Sequence, residues 1–228
     1  MKIGILTTGH APDELRADHG DYADLFQRLL KDKGFSFVNY DVVDMEFPAD
    51  VHDCDGWLVT GSRHGAYEDH PFIPPLEAFI RATYEAEVPM VGICFGHQII
   101  AQALGGKVEK FKGGWAVGRQ VYDWQGQPVA LNAWHQDQVV IKPPEAQVCA
   151  SNEFCENAAL VYGHRAFTVQ AHPEFKSDFV AGLAAARGKG VVPDAQLAEV
   201  ANQLHAPIDD VRLASQIAAF FKTREITP

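Results

Sequence analysis

Basic residues are in short supply in this chain. Nineteen Lys+Arg stand against 30 Asp+Glu over 228 residues, a net charge of −11. Binding along a phosphate backbone needs clustered Lys and Arg, and no such run is present, so nucleic acid is not an expected partner. No stretch approaches the roughly 20 apolar residues that a spanning helix needs, so no membrane partner is expected either. Met1–Thr8 has too short an apolar core for a signal peptide and reads as a first strand. Cysteine is sparse: Cys54, Cys94, Cys149 and Cys155 form no C-x-x-C pair and no zinc spacing. That usage points to a reducing, cytoplasmic setting and to no metal; a Cys149–Cys155 disulfide would need an oxidising one. A P-loop, a Gly-rich phosphate cradle, internal repeats and linkers are all missing, so the chain supplies no ATP site of its own.

What is present is ordinary globular composition, with 47% hydrophobic and 21% charged residues. Apolar runs at Lys2–Thr7, Phe35–Val43, Gly56–Thr60 and Val88–Ile93 read as strands. Helical spacing marks Tyr22–Lys33, Ile73–Glu87 and Gly96–Leu104 between them. This alternation predicts an α/β fold, a mostly parallel central sheet with helices on both faces. Trp115–Trp124, Val129–Ala133, Gln138–Ile141 and Arg165–Gln170 then follow with no helix between them, which predicts an antiparallel extension of that sheet. Residues 1–228 read as a single domain, with 177–228 a helical C-terminal extension packed on it. Asp194 and Asp209 are placed to cap its last two helices.

One segment carries chemistry. Val88–Ile93 is a strand, Gly92-Ile93-Cys94-Phe95-Gly96 a tight turn, and a helix follows. A free cysteine is ordinarily a buried structural thiol. Here strand, glycine, cysteine, glycine and helix give the spacing of a nucleophile elbow, which lifts its nucleophile above the sheet edge. A helix N-terminus favours the thiolate form. Downstream, Val169-Gln170-Ala171-His172-Pro173-Glu174 places a histidine just after a strand. In extended chain His172 and Glu174 share a face; a turn there would also let the carboxylate steady the imidazole.

Together these segments resemble the class I (triad) glutamine amidotransferases. Gly92-Ile93-Cys94-Phe95-Gly96-His97-Gln98 matches the family's elbow, His172-Pro173-Glu174 its closing motif, and Val59-Thr60-Gly61-Ser62 its oxyanion segment. The similarity extends to a stand-alone branch related to the amidotransferase half of GMP synthase, and to plant γ-glutamyl peptidases. It covers about residues 1–176 and implies the flavodoxin-like fold of the family.

The resemblance implies a catalytic triad of Cys94, His172 and Glu174, with an oxyanion hole from the backbone at Phe95 and Gly61. It places Ser62, Gln98, His135 and Gln136 against the substrate and implies no metal and no organic cofactor. The implied substrate is glutamine or a γ-glutamyl compound. Ammonia would pass to a separate synthetase subunit, or the chain would be a self-sufficient γ-glutamyl peptide or amine hydrolase. A non-catalytic binding or redox-sensing module is the reading from another class. His97 is assigned to structure, and the loops Gly9–Glu14 and Arg63–Glu68 to the mouth of the site.

Overall fold

The computed structural model describes residues 1–226. The chain runs β1 (Lys2–Leu6), α1 (Asp13–His19), α2 (Tyr22–Leu29), β2 (Ser36–Tyr40), β3 (Gly56–Val59), α3 (Ile73–Glu85), β4 (Met90–Ile93) and α4 (Phe95–Ala103). Seven strands follow without a helix: β5 (Lys107–Lys110), β6 (Ala116–Trp124), β7 (Gln127–His135), β8 (Asp137–Ile141), β9 (Gln147–Ser151), β10 (Ala159–Tyr162) and β11 (Ala166–Val169). The helices α5 (Ser177–Leu183), α6 (Asp194–Gln203) and α7 (Asp210–Thr223) come last.

Nine strands share one sheet in the order β2-β1-β3-β4-β11-β10-β9-β6-β7. The pairings from β2 to β11 are parallel and those from β11 to β7 antiparallel. The parallel sheet and an antiparallel extension are therefore present, but Gln138–Ile141, expected in that extension, lies outside it in β8, and β11 runs parallel to β4 while pairing antiparallel with β10. A separate antiparallel pair joins β5 to β8. The inner strands β3, β4 and β11 are buried along their whole length, which explains their unbroken apolar runs. β1 pairs with β2 on one side and β3 on the other, so the chain order reverses there. In open α/β sheets ligands bind beyond the strand C-termini at such a switch point.

Helix α2 starts at a reciprocal capping box between Asp21 and Asp24. Helix α7 buries Leu213, Ile217, Phe220 and Phe221 in a cluster shared with Ile3, Phe26, Trp124 and Phe167. Val211, in the first turn of α7, is 70% exposed. Asp209 does precede α7, but its carboxylate accepts from the Ala130 N–H (2.7 Å) instead of closing the helix. Its own N–H donates to Ala130 O (2.7 Å), so the helix start is tied to β7. Pro193, not Asp194, holds the cap position of α6. No helix among the described residues is long and apolar enough to cross a membrane.

Candidate active site

Strand β4 ends at Ile93 and α4 begins at Phe95, so the whole reversal falls on Cys94, at φ 54° and ψ −104°. A side chain at positive φ costs on the order of 1–3 kcal/mol and persists only where neighbours impose it. They do so here. Cys94 N–H donates to Val169 O (2.9 Å), Cys94 O accepts from Gln98 N–H (3.0 Å), and Gly96 N–H donates to Thr60 O (3.0 Å). A Cβ on Gly96 would lie 2.2 Å from the backbone oxygen of Val59, so only glycine lets α4 start this close to β3. The first amides of α4, led by that of Phe95, lie at the positive end of the helix.

Strand β11 lies beside β4 with Val169 opposite Ile93, which brings residues 170–174 out at the same sheet edge as Cys94. His172 N–H donates to Asn132 O (2.8 Å), and Asn132 Nδ2 donates to Phe175 O (2.9 Å), clipping the segment into a turn. That turn sets His172 Nδ1 2.6 Å from Glu174 Oε1. The Phe175 ring lies flat on the imidazole, centroids 3.9 Å apart and planes within 3°. Cys94, His172 and Glu174 are 5%, 4% and 3% exposed. A Cβ built on Gly61 would sit 2.9 Å from His172 Cε1 and 3.6 Å from Cys94 Cβ, so the Gly61 turn, thiol and imidazole meet around one point. Burial alone would lower the His172 pKa. The Glu174 carboxylate, hydrogen-bonded to the ring, and the Cys94 thiol beside it override burial and raise the group to about 10.

Cys94, His172 and Phe175 line a cleft of about 580 Å³, with Glu174 behind the imidazole. Ser62 and Gln98 line it, as do His135 and Gln136. Gln98 Nε2 donates to Asp137 O (2.9 Å) and Gln170 Oε1 (3.2 Å), and Gln136 Nε2 to Phe111 O (3.3 Å). His135 Nδ1 donates to Asp137 O (3.2 Å). Burial, only partly offset by that bond, pushes His135 down to about 3, too weak a base to replace His172. His97 is fully buried, its Nδ1 2.8 Å from Thr168 Oγ1, and burial lowers it to about 3; it is a structural histidine.

The mouth differs from expectation. Arg63–Glu68 does line it, but none of Gly9–Glu14 does. Gly9 backs Ser62, His10 lies between Asp21 (2.7 Å) and Asp44 (3.0 Å), and Asp13 and Glu14 open α1. The missing wall comes from Tyr22 and from the C-terminal segment, through Leu183, Arg187 and Val191. Sequence reasoning also missed Asn132 and Thr8. The Thr8 hydroxyl fixes the Gly61 turn from 3.0 Å to Thr60 O and 3.1 Å to Gly61 O. A lone Asn in the apolar run Val129-Ala130-Leu131-Asn132-Ala133 was the available signal for the first. At the rim, donor atoms of His64, Glu68 and His70 fall within 4.8 Å of one another, a set that suits a borderline metal ion, although Glu68 Oε2 is already hydrogen-bonded to His70 Nε2 (2.8 Å).

A profile of the family described as glutamine amidotransferase class-I matches residues 20–179. Among curated proteins, γ-glutamyl peptidase 4 of Arabidopsis thaliana is 32% identical over 71% of this chain and 71% of its own. The glutamine-hydrolysing GMP synthase subunit of Methanopyrus kandleri is 31% identical over 70% of this chain and 87% of its own. A solved glutamine amidotransferase from Methylobacillus flagellatus has the same fold, with a TM-score of 0.73 at 22% identity over 100% of this chain and 96% of that one. With the family profile covering both the elbow and the His-Pro-Glu turn, this chain belongs to the class-I glutamine amidotransferases.

Proposed function

We propose that the protein hydrolyses a γ-glutamyl amide bond through a thioester on Cys94. The observation that carries this reading is the thiol held at positive φ beside a buried imidazole–carboxylate pair, at the floor of an open cleft. The thiolate adds to the γ-carbonyl carbon, and the oxyanion is met by the N–H groups of Phe95 and Gly61. The C–N bond breaks as protonated His172 gives its proton to the departing nitrogen. Water, deprotonated by the now neutral His172, cleaves the thioester and releases glutamate with Cys94 restored. Glu174 holds the imidazole in place throughout. Ser62, Gln98, His135 and Gln136 receive the amino-acid end of the substrate. Every atom and proton in this cycle comes from substrate, water or these side chains, so it runs without a cofactor.

Two leaving groups are consistent with this chemistry. Ammonia from glutamine, taken up by a separate synthetase subunit, is the reading supported by the likeness to the glutamine-hydrolysing part of GMP synthase. A larger amine or peptide is supported by the likeness to γ-glutamyl peptidase 4 and by the cleft. Its volume of about 580 Å³ falls in the range of pockets that enclose drug-sized ligands, larger than glutamine requires. The test is intact-protein mass spectrometry during turnover of glutamine and of γ-glutamyl peptides, with release of glutamate followed alongside. A γ-glutamyl adduct on Cys94, absent from Cys94→Ser, is the expected result. Undiminished turnover by Cys94→Ser would overturn the mechanism.

A further inference from the structure

The cleft carries more cationic than anionic side chains. In a chain of net charge −11, its walls hold Lys110, set against Asp137, and three further cations, Arg63, Arg187 and Lys189. Among the described residues none of the three is in an ion pair, whereas Arg16, Arg81 and Arg165 pair with Asp13, Glu77 and Glu87. The acids of the cleft are engaged elsewhere. Glu68 bonds His70 (2.8 Å), and Asp137 takes the Tyr67 hydroxyl.

Arg187 is the best placed of the three. It belongs to Ala184–Gly188, five residues wound as a π-helix directly after α5. That wide turn is rare and recurs at functional sites because it re-aims the side chains it carries. The guanidinium donates to His10 O (3.3 Å) and lies close enough to the buried Tyr22 hydroxyl to oppose the rise that burial gives its pKa. The Tyr22 ring lies 6.1 Å from that of Phe175, which in turn covers His172. Arg187 therefore stands on the imidazole side of Cys94. In the hydrolytic reading proposed above, on which this step rests, the departing nitrogen leaves toward the imidazole that protonates it. Groups on that side face the leaving group, whereas Gln98 and Gln136 come from α4 and the β7–β8 junction.

We propose that Arg187 is a specificity-determining residue that binds a carboxylate on the leaving group, so that the preferred substrates are γ-glutamyl amino acids or peptides with a free C-terminal carboxylate. Arg63 and Lys189 add to the field that draws such an anion in. A guanidinium suits this task because its paired N–H donors match a carboxylate edge to edge.

The test compares γ-glutamylglycine with its C-terminal amide, which differ only in that charge. The wild-type protein is expected to favour the acid in kcat/KM by about tenfold or more, the scale of one lost charge-assisted hydrogen bond. Arg187→Met should remove the preference by slowing the acid alone, and Arg187→Lys should keep part of it, with melting temperatures confirming that both variants fold. Equal loss on both compounds, or no wild-type preference, overturns the assignment. Calorimetry in a Cys94→Ser background reads the same preference without turnover. A preference for the acid that vanishes with Arg187→Met there, combined with no hydrolysis of any γ-glutamyl compound by the wild type, would uphold the carboxylate site while removing the hydrolytic reading.

Discussion

His172 keeps a proton that burial by itself would remove, and it does so because Glu174 and Cys94 both favour the charged ring. The sign of the resulting pH effect follows from linkage. A histidine with an ordinary value of 6.5 unfolded and about 10 folded stabilises the protein fully below pH 6.5. That contribution is lost progressively as pH rises from 6.5 to about 10. Glu174→Gln removes one of the two charges that hold the proton. Its melting temperature should therefore fall less steeply than that of the wild type across this window, and His172 should titrate at lower pH by NMR. Parallel melting curves for the two proteins would show that Glu174 does not hold the charge. Burial pushes Cys149 and Cys155 up to about 12 and leaves them poor nucleophiles at neutral pH.

At the scale of elements, the site depends on a clip between β7 and the turn after β11. Asn132→Ala leaves the Phe175 carbonyl without its donor, at a cost of about 1–3 kcal/mol for a buried unsatisfied group. Because the same turn sets His172 against Glu174, kcat should fall more than KM changes. Urea unfolding and steady-state kinetics together test this, and unchanged kcat would place the clip outside the catalytic geometry. The elements themselves were unevenly legible in the sequence. Strands β3, β4 and β11 announce themselves as apolar runs because both faces are covered. Strand β5, Lys-Val-Glu-Lys, buries only Val108 and owes its conformation to pairing with β8; β9 and β10 likewise depend on their neighbours. Helix α1 gives no apolar period to read, because it is short and polar with Leu15 its one buried residue. The turns that carry Cys94, His172, Glu174 and Gly61 were legible because each is written in a short local motif. Arg187 and Tyr22 could not, since their place in the cleft comes from packing between distant segments, and no local pattern in the chain marks the π-helical turn.

Across the whole molecule, the C-terminal helices prove to be part of the core and part of the site. Phe220 is fully buried against Phe167, ring centroids 5.9 Å apart, on the strand that leads to His172. Phe220→Ala should cost about 3–5 kcal/mol, in the range of large-to-small changes at buried aromatics. Denaturant titration measures it, and a loss under about 1 kcal/mol would mean that the core refills the space, contrary to the close packing of such interiors. The position of β11 has a further consequence, in the order of assembly. This strand enters between β4 and β10, so the central sheet cannot close until nearly three-quarters of the chain exists. A growing chain that has already displayed Cys94 holds a thiol with neither its base nor a complete cleft around it. Chain segments so far apart in sequence meet late, because the entropy of closing the loop between them must be overcome first. The meeting of Cys94 with His172 is thus deferred by topology until the strand beside β4 has been made and seated.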